Sequence, residues 1–379
     1  MTDNTSLPPS RWRHGNRFRL LVDGDAFFPA MLDAIAAAQR QVLLEMYLVE
    51  SGQVADRFID ALEKAVLRGA RVCLLLDDFG CRGLTAADRA RLQQAGIELA
   101  LYNPLHFGGL RRNLFRDHRK LLVVDNLCAF VGGAGLTDDF DPDARPERHW
   151  HDVMVEIRGP VVADWQAAFA HTWAHWYPGT GITPESNGPK AGHQAGRISL
   201  SGSDTRAPIK RSLLTRISRA RGRIWLATAY FVPSWKQRRR LARAARRGVD
   251  VRLLLPGPHT DHPAVRHAGR RFYASLLRTG VRIYEYQPRF LHAKVALIDD
   301  WVSIGSSNMD RWNLRWNLEA NQEIDAPDFA TEAAAQFVAD FAASEEVRYA
   351  TWRRRPWYER LAEWFWGRID RWVDRHARR

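Results

Sequence analysis

FRDHRKLLVVDNLCAFVGGAG (115–135) and RFLHAKVALIDDWVSIGSSN (289–308) carry one pattern twice. Each places a histidine two residues before a lysine and seven before an aspartate: His118, Lys120 and Asp125, then His292, Lys294 and Asp299. The chain has only six lysines among 56 basic residues, so two of them at the same offset from a histidine do not follow from abundance. At ordinary residue usage a given histidine precedes such a pair in roughly a few cases per thousand. One copy alone would be matched by a buried, hydrogen-bonded histidine at a strand edge. Two copies point to one active site assembled from two halves.

The duplication extends outward from the motifs. RQVLLEMYLVE, the helical FIDALEKAVLRG and the apolar run RVCLLLDD return in the same order as GRIWLATAYFVP, RRRLARAARRG and VDVRLLLPGP, with Gly69 answering Gly248 as the residue that closes a helix before a buried strand. AGIELALYNP (95–104) aligns in the same way with TGVRIYEYQP (279–288). Strands alternating with helices predict βαβ units and a mainly parallel sheet in each half. YPGTGITPESNGPKAGHQAG (177–196), rich in Gly and Pro and without periodicity, reads as a linker. The expected organisation is an N-terminal extension (1–17), a first domain (18–176), the linker, a second domain (197–345) and a C-terminal helix (346–379).

Three hundred and seventy-nine residues exceed what one core usually supports, and the net charge of +13 calls for an anionic partner. Cys73, Cys81 and Cys128 have no metal-type spacing and read as reduced thiols of a cytosolic protein. No apolar run reaches the eighteen or so residues of a spanning helix, so membrane contact is expected to be peripheral. His171 and His175 have the spacing of a helical metal pair, but without the accompanying Glu they read as packing or surface residues. No cofactor is expected.

Histidine and lysine two residues apart on a strand share a face. The imidazole can attack phosphorus or donate a proton to a leaving oxygen, while the ammonium holds non-bridging oxygens as charge shifts in the transition state. Two-step phosphoryl transfer needs a nucleophile and an acid on opposite sides of phosphorus, and two copies meet that need. The turns VGGAG (131–135) and IGSSN (304–308), shortly after each aspartate, bring backbone N–H groups suited to anionic oxygen, among them those around Gly133, and Ser306 and Asn308 add side-chain donors. The loop LHFGGLRRNLFRD, ten residues longer than its counterpart, carries Arg111 and Arg112. It is either a solvated loop or a lid that grips phosphate.

With these residues in view, the chain resembles the phospholipase D superfamily, whose signature is the doubled His-x-Lys-x4-Asp motif followed by Gly-Gly or Gly-Ser and an Asn. RDHRKLLVVD, HWHDVMVEIRGPVV, ATAYFVP and FLHAKVALIDDWVSIGSSNMD followed by NLEAN resemble the bacterial cardiolipin synthase branch, in a short form without N-terminal transmembrane helices. The resemblance implies an α/β fold of two phospholipase D-like α/β/α sandwich domains, a pseudo-twofold pair with the active site at their interface. It implies a phosphohistidine intermediate, with His118 as nucleophile and His292 as acid. Lys120, Lys294 and Asn308 would hold phosphoryl oxygens, Asp125 and Asp299 would support the imidazoles, and Glu319 matches the downstream acidic position. Phosphatidylglycerol would serve as donor and acceptor, releasing glycerol, at the cytoplasmic face of the bacterial inner membrane. Gly135 stands where the family has its first Asn, a departure that bears on headgroup preference.

From Arg206 to Arg247 there are fourteen basic residues and no acidic one, which suits an anionic phospholipid membrane or a nucleic-acid backbone equally. From Trp357 onward Leu361, Trp364, Phe365, Ile369, Trp372 and Val373 recur at helical spacing with arginines between them, favouring a bilayer interface over a core-docked helix. That tail weighs against nucleic acid as partner. The rival activities are hydrolysis of phospholipid or nucleic-acid phosphodiesters by the same histidines and, from another class, an inactive membrane scaffold, whose expected mark would be a damaged motif. Oligomeric state is not legible.

Overall fold

The computed structural model describes residues 11–106, 108, 112–185, 188–202, 207–310, 317–357, 366 and 368. The first half runs β1 (Arg13–Val22), α1 (Gly24–Ala37), β2 (Gln41–Met46), α2 (Gln53–Leu67), β3 (Arg71–Asp77), α3 (Ala86–Gln94), β4 (Glu98–Tyr102), β5 (Arg116–Asp117), β6 (Lys120–Val124), β7 (Cys128–Gly132), β8 (Val153–Arg158) and α4 (Val162–Trp176). The second runs β9 (Gln194–Ser201), α5 (Pro208–Arg219), β10 (Arg223–Ala227), β11 (Phe231–Val232), α6 (Trp235–Arg246), β12 (Asp250–Pro256), α7 (Pro263–Arg270), α8 (Tyr273–Leu277), β13 (Arg282–Tyr286), β14 (Val295–Ile298), β15 (Trp301–Gly305), β16 (Met309–Asp310), β17 (Asn317–Asp325) and a helix over Pro327–Ala342.

Local sequence accounts for these elements. In α2 the buried Val54, Phe58, Ile59, Leu62 and Ala65 form one stripe at helical spacing. Ser234 and Gln237 form a capping box that opens α6. Gly69 and Gly248 follow α2 and α6 with φ of 92° and 88°, a left-handed turn that a side chain would strain.

The strand order repeats. From its outer edge the first half reads β4-β3-β2-β6-β7-β8-β1, and the second reads β13-β12-β10-β14-β15-β17-β9 inside an edge strand over Ser344–Glu346; β1 lies against β9 so that one sheet crosses the whole molecule. Within the main sheet each half has three adjacent parallel strands (β2, β3 and β4; β10, β12 and β13) and its other strands pair antiparallel, while the short β11–β16 pair and the β5–β17 pair between the halves are parallel. The expectation of a mainly parallel sheet is therefore corrected. Helices join β1 to β2 and β9 to β10 and link the outer parallel strands, while the motif strands β6 and β14 return as tight hairpins. The turn residues are the motif aspartates themselves: Asp125 and Asn126 have φ of 53° and 56°, and Asp299 has φ of 52°.

One core runs through both halves, and each half has a further core of its own. α4 and helix Pro327–Ala342 cover one face, where Trp165 and Trp173 are fully buried with Phe329 and Phe337. Trp165 donates its indole N–H to Gln322 Oε1 across the two halves at 2.8 Å. His151, 2% exposed, is a second clasp: Nδ1 lies 2.8 Å from Asp23 and Nε2 3.1 Å from Asp340 of the other half. Burial pulls its pKa down, but the two carboxylates outweigh that and raise it to about 10, so the ring is a cation.

Cys73, Cys81 and Cys128 are buried free thiols. Trp352, counted at sequence level with the C-terminal segment, is 5% exposed and packs against Tyr273 in the second half's core. The stripe residues Leu361, Trp364, Phe365, Ile369, Trp372 and Val373 lie outside the described residues.

Candidate active site

Each motif histidine is anchored by the half it does not belong to. β5 pairs with β17, and the His118 N–H donates to Leu318 O at 3.0 Å. Reciprocally, Leu291 bridges His151, and the His292 N–H donates to His151 O at 2.8 Å. The side chains follow the same exchange. His118 Nδ1 lies 3.1 and 3.2 Å from Oε1 and Oε2 of Glu319, with Oε2 in hydrogen-bonding geometry. His292 Nδ1 lies 2.6 Å from Asp152 Oδ2. Neither half contains a complete site.

The motif aspartates do something else. Asp125 accepts the backbone N–H groups of Gln39, Arg40 and Gln41 at 2.8, 2.8 and 2.7 Å. Asp299 does the same for Arg221, Gly222 and Arg223 at 3.0, 2.8 and 3.1 Å. They tie the hairpin turn to the start of β2 and β10, at the strand ends remote from the imidazoles. The expectation that they support the imidazoles is thereby corrected; Glu319 and Asp152 make those contacts. Asp125→Ala is expected to lower unfolding free energy by about 2 kcal/mol, since three donors lose their acceptor. The turnover of folded enzyme should stay within about twofold, measured with parallel denaturant titrations and initial rates.

Asp152 was missed as a site residue. A signal is present, because HWHDVMV and WNLEANQ each place an acid at the beginning of the strand that follows the small-residue turn, Asp152 just before β8 and Glu319 third in β17. The registers confirm the equivalence: Gly132 faces Met154 in β8 and Gly305 faces Asn321 in β17, so that Asp152 and Glu319 each lie two positions before the residue facing the glycine. Gly133 is the seat for this carboxylate, since a Cβ there would meet Asp152 Oδ2 at 2.4 Å. In the second half the matching residue is Ser306, whose hydroxyl donates to Glu319 and accepts the Ala320 N–H at 3.0 Å. Gly133 and Ser306 thus position carboxylates. At Gly135 a Cβ would stand 2.7 Å from Leu48 O, so this turn leaves no room for an asparagine side chain.

The lysines complete the cluster. Lys294 Nζ lies 2.8 and 3.1 Å from the two ring nitrogens of His292, and Lys120 Nζ donates to His118 O at 2.7 Å while sitting 4.9 Å over the Tyr47 ring. His292 is ringed by Phe140, Trp150 and Phe290 at 5.4, 5.2 and 5.7 Å. Asn308 is 1% exposed; its Oδ1 accepts from Thr228, and among the described residues its Nδ2 has no hydrogen-bond partner. A buried amide donor left open is suited to an anionic oxygen. Arg112 is exposed and engages Asn103, and Arg111 lies outside the described residues, so the gripping-lid expectation gains no contact.

Electrostatics couple the halves. Burial depresses both imidazoles, His118 well below its ordinary value and His292 to about 4. Lys120 and Lys294 both act on His118, and both act on His292, so charge from each half reaches each ring. Burial likewise lowers Lys120 to about 7 and Lys294 to about 8, and lifts Glu319 to about 8. For Asp152 burial acts upward, but Lys294 and His292 override it and hold the carboxyl below its usual range. The site buries two imidazoles and two ammonium groups together. A phosphodiester entering it would restore the positive charge on imidazole and ammonium that burial opposes.

Two copies of one α/β fold that exchange carboxylates around a doubled His–Lys pair define a phospholipase D-type protein. Residues 31–173 and 213–341 match the family model described as cardiolipin synthase, PLD-like domain, and the chain belongs to that family. It is 37% identical over 316 residues to cardiolipin synthase B of Salmonella typhimurium, an alignment covering 80% of this chain and 75% of that one. It is 35% identical over 306 residues to cardiolipin synthase A of Pseudomonas aeruginosa, covering 79% of this chain and 62% of that one. Among solved structures the phosphatidylserine synthase of Haemophilus influenzae superposes with a TM-score of 0.70 at 12% identity, over 95% of this chain and 94% of that one, which bears on fold alone. Family membership makes the chain a phosphatidyltransferase of the phospholipase D type. Among the described residues no helix is long and apolar enough to cross a membrane.

Proposed function

We propose that the enzyme makes cardiolipin by transferring a phosphatidyl group from one phosphatidylglycerol to another. His118 Nε2 attacks phosphorus while the glycerol oxygen departs with a proton from His292. A hydroxyl of the second phosphatidylglycerol then attacks the phosphohistidine, returns a proton to His292 and frees His118. Lys120, Lys294 and the Asn308 amide hold the non-bridging oxygens. Glu319 and Asp152 hold Nδ1 of each ring, which fixes the tautomer that presents Nε2. The cytoplasmic face of the bacterial inner membrane is the location that goes with this activity.

One observation carries the proposal: each imidazole is paired with a carboxylate of the opposite half, so two general acid–base groups serve one site. The apolar wall of Phe140, Trp150 and Phe290 around His292 supports the preference for a lipid alcohol over water as acceptor, because closing out water protects the phosphohistidine. Vesicles containing labelled phosphatidylglycerol should yield cardiolipin and glycerol in equal amounts, followed by chromatography of the lipids and assay of the aqueous phase. Phosphatidic acid as the sole lipid product would replace this assignment with hydrolysis.

A further inference from the structure

Among the described residues eight large apolar side chains are exposed, and half of them stand at one end of the sheet. Phe79 (47% exposed) follows β3, Leu105 (36%) follows β4, Leu114 (52%) precedes the first motif, and Trp235 (58%) is the first residue of α6. That end is the one bearing the imidazoles. Met46 at the end of β2 pairs with Lys120, Asp77 at the end of β3 pairs with Tyr102, and Ala227 at the end of β10 pairs with Val295, next to Lys294. β11, just before Trp235, pairs with Met309 and Asp310, directly after Asn308. Both halves therefore contribute apolar residues to the rim of one site.

Exposed apolar residues scattered singly are ordinary, but a group around a catalytic mouth marks an interaction surface. Two of these rings also carry a cation. The Arg82 guanidinium lies 5.7 Å from the Phe79 ring centre, and that of Arg239 lies 4.8 Å from the Trp235 ring centre. A ring beside a guanidinium matches the boundary of an anionic bilayer, where the ring enters among acyl carbons and the cation remains with phosphates. The chain's +13 charge favours the same partner. Resting on the phospholipid substrate proposed above, we infer that this end of the sheet is the membrane-docking face, with Phe79, Leu114 and Trp235 entering the interface. A phosphodiester would then reach the imidazoles from the headgroup layer without its chains leaving the bilayer.

The test is flotation of the full-length protein with vesicles of phosphatidylglycerol and phosphatidylcholine, alongside thermal melts. The Phe79→Ser/Leu114→Ser/Trp235→Ser variant should keep its melting profile and lose about tenfold or more in partitioning. A second pair, Leu67→Ser/Leu127→Ser, removes exposed leucines from the other end of the sheet and should partition like the parent. Single changes at Leu114 and Trp235 serve if the triple variant does not fold, each with a partial loss expected. Undiminished binding by the rim variants, or an equal loss in the opposite-end pair, overturns the inference. Binding is read without turnover, so rim-dependent flotation of a protein that makes no cardiolipin would defeat the transferase assignment and leave the docking face standing.

Discussion

Alanine at either His118 or His292 is expected to lower kcat/KM by about 10³-fold or more, because each removes a proton-transfer or nucleophilic group from the same phosphorus centre. The two variants should part company on a phosphatidyl ester of p-nitrophenol, whose leaving group departs without a proton. His292→Ala should release nitrophenol in a burst of one equivalent and accumulate labelled phosphohistidine, since the acceptor alcohol then lacks its base. His118→Ala should release none and trap no label. Rapid-quench measurement of the burst together with mapping of the labelled peptide decides the matter. A burst in His118→Ala and its absence in His292→Ala would exchange the two roles.

Asp152→Asn and Glu319→Gln are expected to cost about 10²- to 10⁴-fold in kcat, the range in which amide replacement of an imidazole-holding carboxylate falls. The amide keeps the volume but carries no charge and can turn its NH2 group toward Nδ1, in which case the ring takes the other tautomer and no longer presents a free Nε2. The Asp152 carboxylate also raises the His292 pKa against burial and Lys294. Removing its charge lowers that pKa further. A general acid must carry its proton, and activity is lost as pH rises through its pKa. The alkaline limb of the kcat profile for Asp152→Asn should therefore move to lower pH than in the parent. A merely structural contribution would lower the melting temperature and leave that limb in place, so kcat against pH and thermal melts are measured together. A loss below tenfold with an unmoved limb would remove Asp152 from the mechanism.

The contrast with the motif aspartates separates what is legible from what is not. Asp125 and Asp299 stand out in the sequence because they recur at fixed spacing from His and Lys, yet their carboxylates bind backbone N–H groups at a hairpin turn. Regular spacing along a strand reports a shared local structure, and here the shared structure is the turn. Asp152 and Glu319 act on imidazoles 140 and 201 positions away in the chain. No periodicity within a segment encodes such a pairing.

The sheet gives a similar lesson. The apolar runs around β2, β3 and β4 and the helices between them were readable as βαβ units, and those three strands are parallel. That alternation does not extend to β6, β7 and β8, where Asp125 and Asn126 take the left-handed conformations of a tight reversal and the strands pair antiparallel. The duplicated architecture, the His–Lys pairs and the buried cysteines follow from residue identity and repetition, because these are properties of single segments and of composition. The exchange of anchoring carboxylates, the clasp of His151 between Asp23 and Asp340, and the gathering of exposed rings around the imidazoles were decided only by tertiary structure. Each of them depends on which strand ends lie together when the two halves close on one sheet. Chain order leaves that open, and packing of the common core settles it.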